Sequence, residues 1–138
     1  MKMEVVTDRR GLPPGLVVGP ASRGEGGLAE RLLDLLPDRV ELGERVVVLA
    51  DRGYDSDGLR DRPAAAGYDL VAPHRKNRTR PARNDGRTMR RYKRRWVVER
   101  TFAWLHTYRR LLVRHERHAV LFQGFAHLAC ALVAVARL

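Results

Sequence analysis

The alternation of apolar and polar positions divides the chain into short strands followed by helices. Residues 2–7 (KMEVVT) alternate in part and are rich in strand formers. Residues 8–15 (DRRGLPPG) are full of turn formers, and 16–18 read as a return strand, so a hairpin is expected over 1–19. A loop is expected over 20–27. Leu28, Leu32, Leu33, Leu35 and Leu36 then recur at helical spacing until Pro37 stops the helix. Residues 45–50 (RVVVLA) form a nearly continuous apolar run, the pattern of a central strand buried on both faces. Ser56 and Asp57 are placed to cap a helix through about residue 66, with Gly67 ending it. Residues 68–72 (YDLVA) read as another strand. The polar loop 73–86 (PHRKNRTRPARNDG) has the length usually reserved for function. A long helix is expected over 88–107 and a second over 119–135. The whole is an α/β pattern in a single domain: a sheet part over 1–72, a basic loop over 73–87 and a helical part over 88–138.

Charge changes this picture most. The chain of 138 residues carries a formal net charge of +11. Sixteen of its 27 Lys/Arg residues lie between His74 and Arg117, against three acids there (Asp85, Glu99, Glu116). The remaining 11 basic residues face 13 acids, so the rest of the chain is close to neutral. A localised basic block threaded with Tyr92, Trp96, Phe102, Trp104 and Tyr108 is the footprint expected for a polyanion partner. The two tryptophans are expected chiefly to pack in the core. The single cysteine, Cys130, rules out an internal disulfide framework, fits a reducing compartment and reads as a core residue of the last helix. The N-terminus has no apolar signal core. The apolar run 118–138 is about long enough to span a bilayer, but it contains His118, Gln123, Gly124, His127 and Arg137 and is read as a buried helix, with no membrane partner.

Two carboxylates stand out as candidate chemistry. Asp51 follows the apolar strand at once, where open α/β sheets place their ligands; it is otherwise a capping or loop acid. Glu99 sits between Arg95 and Arg100. With about 100° per residue and Tyr92 at zero, Arg95 falls at roughly −60°, Glu99 at roughly −20° and His106 at roughly −40°, a single polar stripe on one helix. Glu99 is therefore either a metal ligand facing a cleft or the partner of Arg95 one turn away. Together the two acids suggest a shared Mg²⁺ site, since hard divalent cations take carboxylate oxygens. Gly53 reads as serving a tight turn. His115 and His118 lack the spacing of a zinc-protease helix.

The segments VVVLADRGYDSDGLR, GYDLVAPHRKNR, RRYKRRWVVERTFAWLHTYRRLLVRHER and FQGFAHLACALV resemble bacterial insertion-sequence transposases of the Asp-Asp-Glu type. The branch signature is Tyr, two residues, Arg, three residues, Glu, six residues, Lys. Tyr92, Arg95 and Glu99 match it, and His106 replaces the final Lys, with Arg109 and Arg110 one turn further on. The resemblance implies a partial ribonuclease H-like fold: a mixed sheet with flanking helices and a long C-terminal helical pair. It implies that Asp51 and Glu99 are catalytic and bind Mg²⁺ (or Mn²⁺). It further implies that Tyr92, Arg95, His106, Arg109, Arg110, Arg75, Lys76, Arg78 and Tyr54 form the signature and DNA-binding set. The implied partner is double-stranded DNA, at element ends and target, in an active complex that is a dimer or larger, acting in the cytoplasm on the nucleoid. No Asp-Ser-Thr-like context for the family's first aspartate occurs here, so an upstream polypeptide is expected to supply it. Two other readings are a DNA-binding remnant without catalysis and a ribonuclease H-like nuclease using Asp8.

Overall fold

The computed structural model describes residues 1–22, 25–40 and 42–138. The chain forms two compact units, one from residues 1–24 with Trp96–Leu138 and one from Glu25–Arg95. The expected loop over 20–27 is described only to residue 22; 23 and 24 lie outside the described residues, and a helix already begins at Glu25.

In the first unit β1 (Lys2–Val6) pairs antiparallel with β2 (Gly15–Gly19), Glu4 facing Val17 and Val6 facing Gly15, so the expected hairpin forms. Its connection is pinned by Asp8, whose Oδ1 accepts the amides of Arg10 (2.8 Å) and Leu12 (2.9 Å). Gly11 takes φ +86°, and a Cβ there would lie 3.0 Å from Thr101 Oγ1. That close approach is used: the fully buried Thr101 hydroxyl donates to the Gly11 carbonyl at 2.6 Å. The last helix of the chain, Ala119–Arg137, places Phe122, Ala126, Ala129, Cys130 and Val133 on one stripe, packed with Leu16, Val18, Leu105 and Leu111. This helix is long and apolar enough to cross a membrane by length and composition, and that stripe is core. Its other face leaves Leu121, Leu128, Leu132 and Val135 exposed. Cys130 is buried as expected, and burial pushes its thiol pKa up to about 11.

In the second unit α1 (Glu25–Leu33) precedes β3 (Val46–Leu49), a 3₁₀ turn (Arg52–Tyr54), α2 (Asp57–Ala65) and β4 (Tyr68–Val71). β3 and β4 are parallel, Val46 opposite Tyr68 and Leu49 opposite Val71, so the segment is a strand–helix–strand unit. Gly67, at φ +85°, ends α2 as expected. A small core of Ala29, Leu59 and Leu70, with Val48, Ala50 and Tyr54 against it, holds the unit.

Three expectations change. The strands make two separate two-stranded sheets among the described residues, instead of one mixed sheet. Accordingly β3 is not buried on both faces: its one described neighbour is β4, and Val46 stays 36% exposed. The long helix expected over 88–107 is interrupted. It consists of α3 (Gly86–Tyr92), a 3₁₀ turn (Lys93–Arg95) and α4 (Trp96–Leu105). Like charges at Arg90/Arg94 and Arg91/Arg95, each four apart, oppose a continuous α-helix here. α3 starts two residues earlier than expected because Asp85 and Thr88 form a capping box. A short helix, α5 (Arg109–Leu112), follows α4, and the long last helix, α6, is Ala119–Arg137.

Candidate carboxylate site and nucleic-acid interface

Asp51 lies two residues beyond β3, exposed, and caps the 3₁₀ turn that follows. Its Oδ1 accepts two hydrogen bonds, from the Arg52 amide at 2.8 Å and from the Tyr92 hydroxyl at 3.3 Å. Oδ2 accepts none among the described residues. Tyr92 ends α3, and the Arg95 guanidinium sits over its ring at 5.9 Å. Burial raises the Tyr92 phenol pKa, Arg95 opposes this, and the Asp51 carboxylate adds to the rise. So the structure brings three predicted residues, Asp51, Tyr92 and Arg95, into one place.

Glu99 and His106 belong to the other unit. Glu99 is exposed on α4, and His106 is exposed just past its end. Because the helix breaks at Lys93–Arg95, the uniform 100° count that joined Tyr92, Arg95, Glu99 and His106 in one stripe does not apply across them. The described residues contain no group of three or more His, Cys, Asp or Glu side chains that would hold a metal. Asp51 nevertheless fits one ligand position by donor chemistry, an exposed carboxylate oxygen without a competing donor.

The arginine loop is organised by a residue that sequence reasoning passed over. The side chain of Asp55 is 1% exposed. Its Oδ1 takes Arg60 Nη2 (2.9 Å), His74 Nδ1 (3.0 Å) and Arg78 Nη1 (3.2 Å), and its Oδ2 takes the Arg75 amide (2.8 Å). Burial alone would raise its pKa; Arg60, the Arg75 amide and His74 outweigh that and hold it well below the usual carboxylate range. Two residues on, Asp57 accepts Arg78 (2.8 Å) and Arg80 (3.1 Å), which pull its pKa down to about 2. His74 Nε2 in turn accepts the Arg83 amide at 3.0 Å. The signal was in the string DSDGLR: two acids at a helix start, in a chain with five Lys/Arg residues in the following loop.

This changes the placement of the predicted DNA contacts. Arg78, 11% exposed, is committed to Asp55 and Asp57. Arg75 donates to the carbonyls of Arg52 (3.4 Å) and Gly53, bracing the turn after Asp51. Tyr54 packs on the core of its unit. Arg110 bonds Glu116 at 2.6 Å and stacks 4.7 Å from the Phe125 ring. Lys76 and Arg109 are exposed. Within the second unit, α3 and its 3₁₀ extension present Arg87, Arg90, Arg91, Lys93 and Arg94, all exposed. In the first unit Arg100 is sandwiched at 4.9 Å from Trp96 and 4.8 Å from Trp104, with Arg137 at 3.7 Å from Trp104. Trp104 packs partly into the core as expected, whereas Trp96 is 53% exposed and stacks on the half-buried Arg100 guanidinium.

Residues 1–134 match the family described as Transposase DDE domain. The chain is 37% identical over 141 residues to a Burkholderia cepacia protein named as a transposase for insertion sequence element IS402, covering 96% of this chain and 61% of that protein. It is 35% identical over 134 residues to a Brucella ovis protein named as a transposase for insertion sequence element IS6501, covering 96% of this chain and 95% of that one. No solved structure matches the chain. The matched family and both relatives agree with the motif resemblance, and the chain belongs to the DDE-domain transposases of insertion sequences.

Proposed function

We propose that this chain is a catalytic portion of an insertion-sequence transposase that cuts and joins DNA strands with Mg²⁺ or Mn²⁺, on a ribonuclease H-like framework. The observation that carries this reading is the position of Asp51, an exposed carboxylate just past the end of a parallel strand in a strand–helix–strand unit. Asp51 and Glu99 would be the carboxylate ligands. A bound divalent cation supplies an acidic centre that eases deprotonation of water and offsets charge on the phosphate. In the first step a water oxygen bonds to phosphorus at the element end while the bond to the 3′-oxygen breaks, releasing a 3′-hydroxyl. In the second, that hydroxyl attacks a target phosphodiester and displaces another 3′-oxygen. The chain's own contribution is to hold Asp51 in register through Arg52 and Tyr92, and to neutralise phosphates with Arg87, Arg90, Arg91, Lys93 and Arg94, helped by Lys76, Arg109 and His106. Among the described residues no group of three or more His, Cys, Asp or Glu side chains forms at Asp51. In this reading the family's first aspartate comes from an upstream polypeptide, in a dimeric or larger complex on the bacterial nucleoid.

The exposed Arg87, Arg90, Arg91, Lys93 and Arg94 support equally one competing reading, DNA binding without catalysis. The deciding experiment incubates the chain, alone and with candidate upstream polypeptide, with DNA carrying an element end and Mg²⁺ or Mn²⁺. Metal-dependent nicking lost in Asp51→Asn and in Glu99→Gln supports the proposal. Binding without nicking under every condition leaves only the DNA-binding module.

A further inference from the structure

Asp51 differs from the other acids around it in what holds it. Asp55, Asp57 and Asp61 of the same region, together with Asp69, each pair with an arginine. Asp51 sits beside Arg52, yet among the described residues no cation pairs with it. Both of its hydrogen-bond donors are uncharged, an amide and a phenol, and both converge on Oδ1. A carboxylate free to rotate about its Cβ–Cγ bond presents either oxygen. Two donors on one oxygen fix the rotation and leave Oδ2 as the outward acceptor. Neither donor brings a positive charge that would compete with a cation at Oδ2.

The phenol's reach is itself fixed. Tyr92 closes α3, whose other end is locked by the Asp85–Thr88 capping box, with Thr88 N donating to Asp85 at 2.7 Å. The helix also packs against β4, the strand paired with β3, which leads to Asp51. We infer that Tyr92 is a positioning residue: its hydroxyl, with the Arg52 amide, clamps Oδ1 of Asp51 so that Oδ2 is presented to a divalent cation. This deepens the reading of Asp51 as a metal ligand and rests on it. Hydrogen-bond partners that orient ligating side chains commonly shift metal affinity ten-fold or more on removal. The bond here is long, so the low end of that range applies.

The test titrates Mn²⁺ into the full chain and follows paramagnetic broadening of the Arg52 and Gly53 amides in nitrogen-edited proton spectra. Wild type, Tyr92→Phe and Asp51→Asn are compared. Tyr92→Phe deletes the hydroxyl and keeps the ring under Arg95. The expected result is Asp51-dependent broadening in wild type, weakened about ten-fold in affinity by Tyr92→Phe, with an unchanged melting temperature. Wild-type Mn²⁺ affinity in Tyr92→Phe, with broadening still lost in Asp51→Asn, overturns the positioning role and leaves Asp51 a ligand. No broadening in wild type, or broadening that survives Asp51→Asn, overturns both readings together.

Discussion

Replacing Asp55 by alanine tests whether the arginine loop is held by one buried carboxylate. Asp55 is 1% exposed and Arg60 5% exposed, so the substitution strands a guanidinium inside the protein. Arg60 would keep the carbonyls of Leu70 (3.0 Å) and Ala72 (2.9 Å) and Asn84 Oδ1 (3.1 Å), all neutral acceptors. Among the described residues its Nε has no hydrogen-bond partner. Removing one member of a buried ion pair costs about 3–5 kcal/mol, because the remaining charge is left uncompensated. A chain of this length has a stability on the order of 7–20 kcal/mol, so the loss is large but survivable. With a urea dependence of about 2 kcal/mol per molar, the unfolding midpoint should fall by about 2 M. Urea unfolding followed by circular dichroism reads this directly. The control is Asp69→Ala, whose carboxylate is 44% exposed and pairs with Arg45 at the surface; it should cost about 0–1 kcal/mol. Trypsin should also cut the loop around Arg75–Arg80 faster in Asp55→Ala, since His74, the Arg75 amide and Arg78 all lose their anchor. Asp55→Ala unfolding within about 1 kcal/mol of wild type, or Asp69→Ala proving equally costly, would refute the anchoring argument.

Three further outcomes follow from other parts of the molecule. Gly67→Ala should destabilise well beyond Gly43→Ala in thermal melts: both glycines have positive φ, but a Cβ at 67 meets Arg39 Cβ at 2.8 Å and the Glu44 carbonyl at 2.9 Å, while one at 43 meets nothing within 4 Å. The pH dependence comes from carboxylates whose folded pKa values are depressed, Asp55, Asp57 (to about 2), Asp85 and Glu116. Their stabilisation is therefore complete above the unfolded carboxylate pKa of about 4 and drains away as pH falls through the folded values, so unfolding midpoints should be flat from neutrality to about pH 5 and drop steeply below about pH 4. The exposed stripe of α6 predicts poor solubility, and Leu128→Glu with Leu132→Glu (56% and 45% exposed) should raise the soluble fraction in sedimentation assays without lowering the melting temperature; a freely soluble wild-type monomer contradicts this.

What could be read from the chain beforehand was local. The hairpin at DRRGLPPG, the helix stop at Gly67 and the core placement of Cys130 each depend on neighbours within a few residues or on one helical period. The Asp51 position was legible because a strand end is a local feature. Its contact with Tyr92 was not, since 41 residues separate the two and no periodicity links a strand end to a distant helix end. The broken helix shows the limit of periodicity: counting at 100° assumes regular winding, and five basic residues in six from Arg90 to Arg95 oppose it. The half-exposed β3 shows another limit, because an apolar run announces what a strand can bury and not how many neighbours it receives.

The basic block is the clearest case of composition requiring geometry. Sixteen Lys/Arg residues between His74 and Arg117 suggested a single polyanion-binding surface. Geometry divides them by task. Arg78, Arg80 and Arg83 neutralise Asp55, Asp57 and Asp61, and Arg110 neutralises Glu116. Arg75 and Arg114 tie down backbone carbonyls, and Arg100 fills an aromatic slot. Guanidinium groups spent in this way contribute little to counterion release, because their charge is already compensated or their donors are engaged. Those on α3 and its extension, Arg87, Arg91, Lys93 and Arg94, make no described ion pair and stand exposed on the element that also delivers Tyr92 to Asp51. Under the proposed function, a polyanion attracted to this element would be brought to the carboxylate by the same short helix, joining phosphate binding and placement of Asp51 in one piece of structure. Removing a charge from α3 should then lower the salt dependence of DNA binding by about one unit per residue, whereas removing Arg78 should act through the fold.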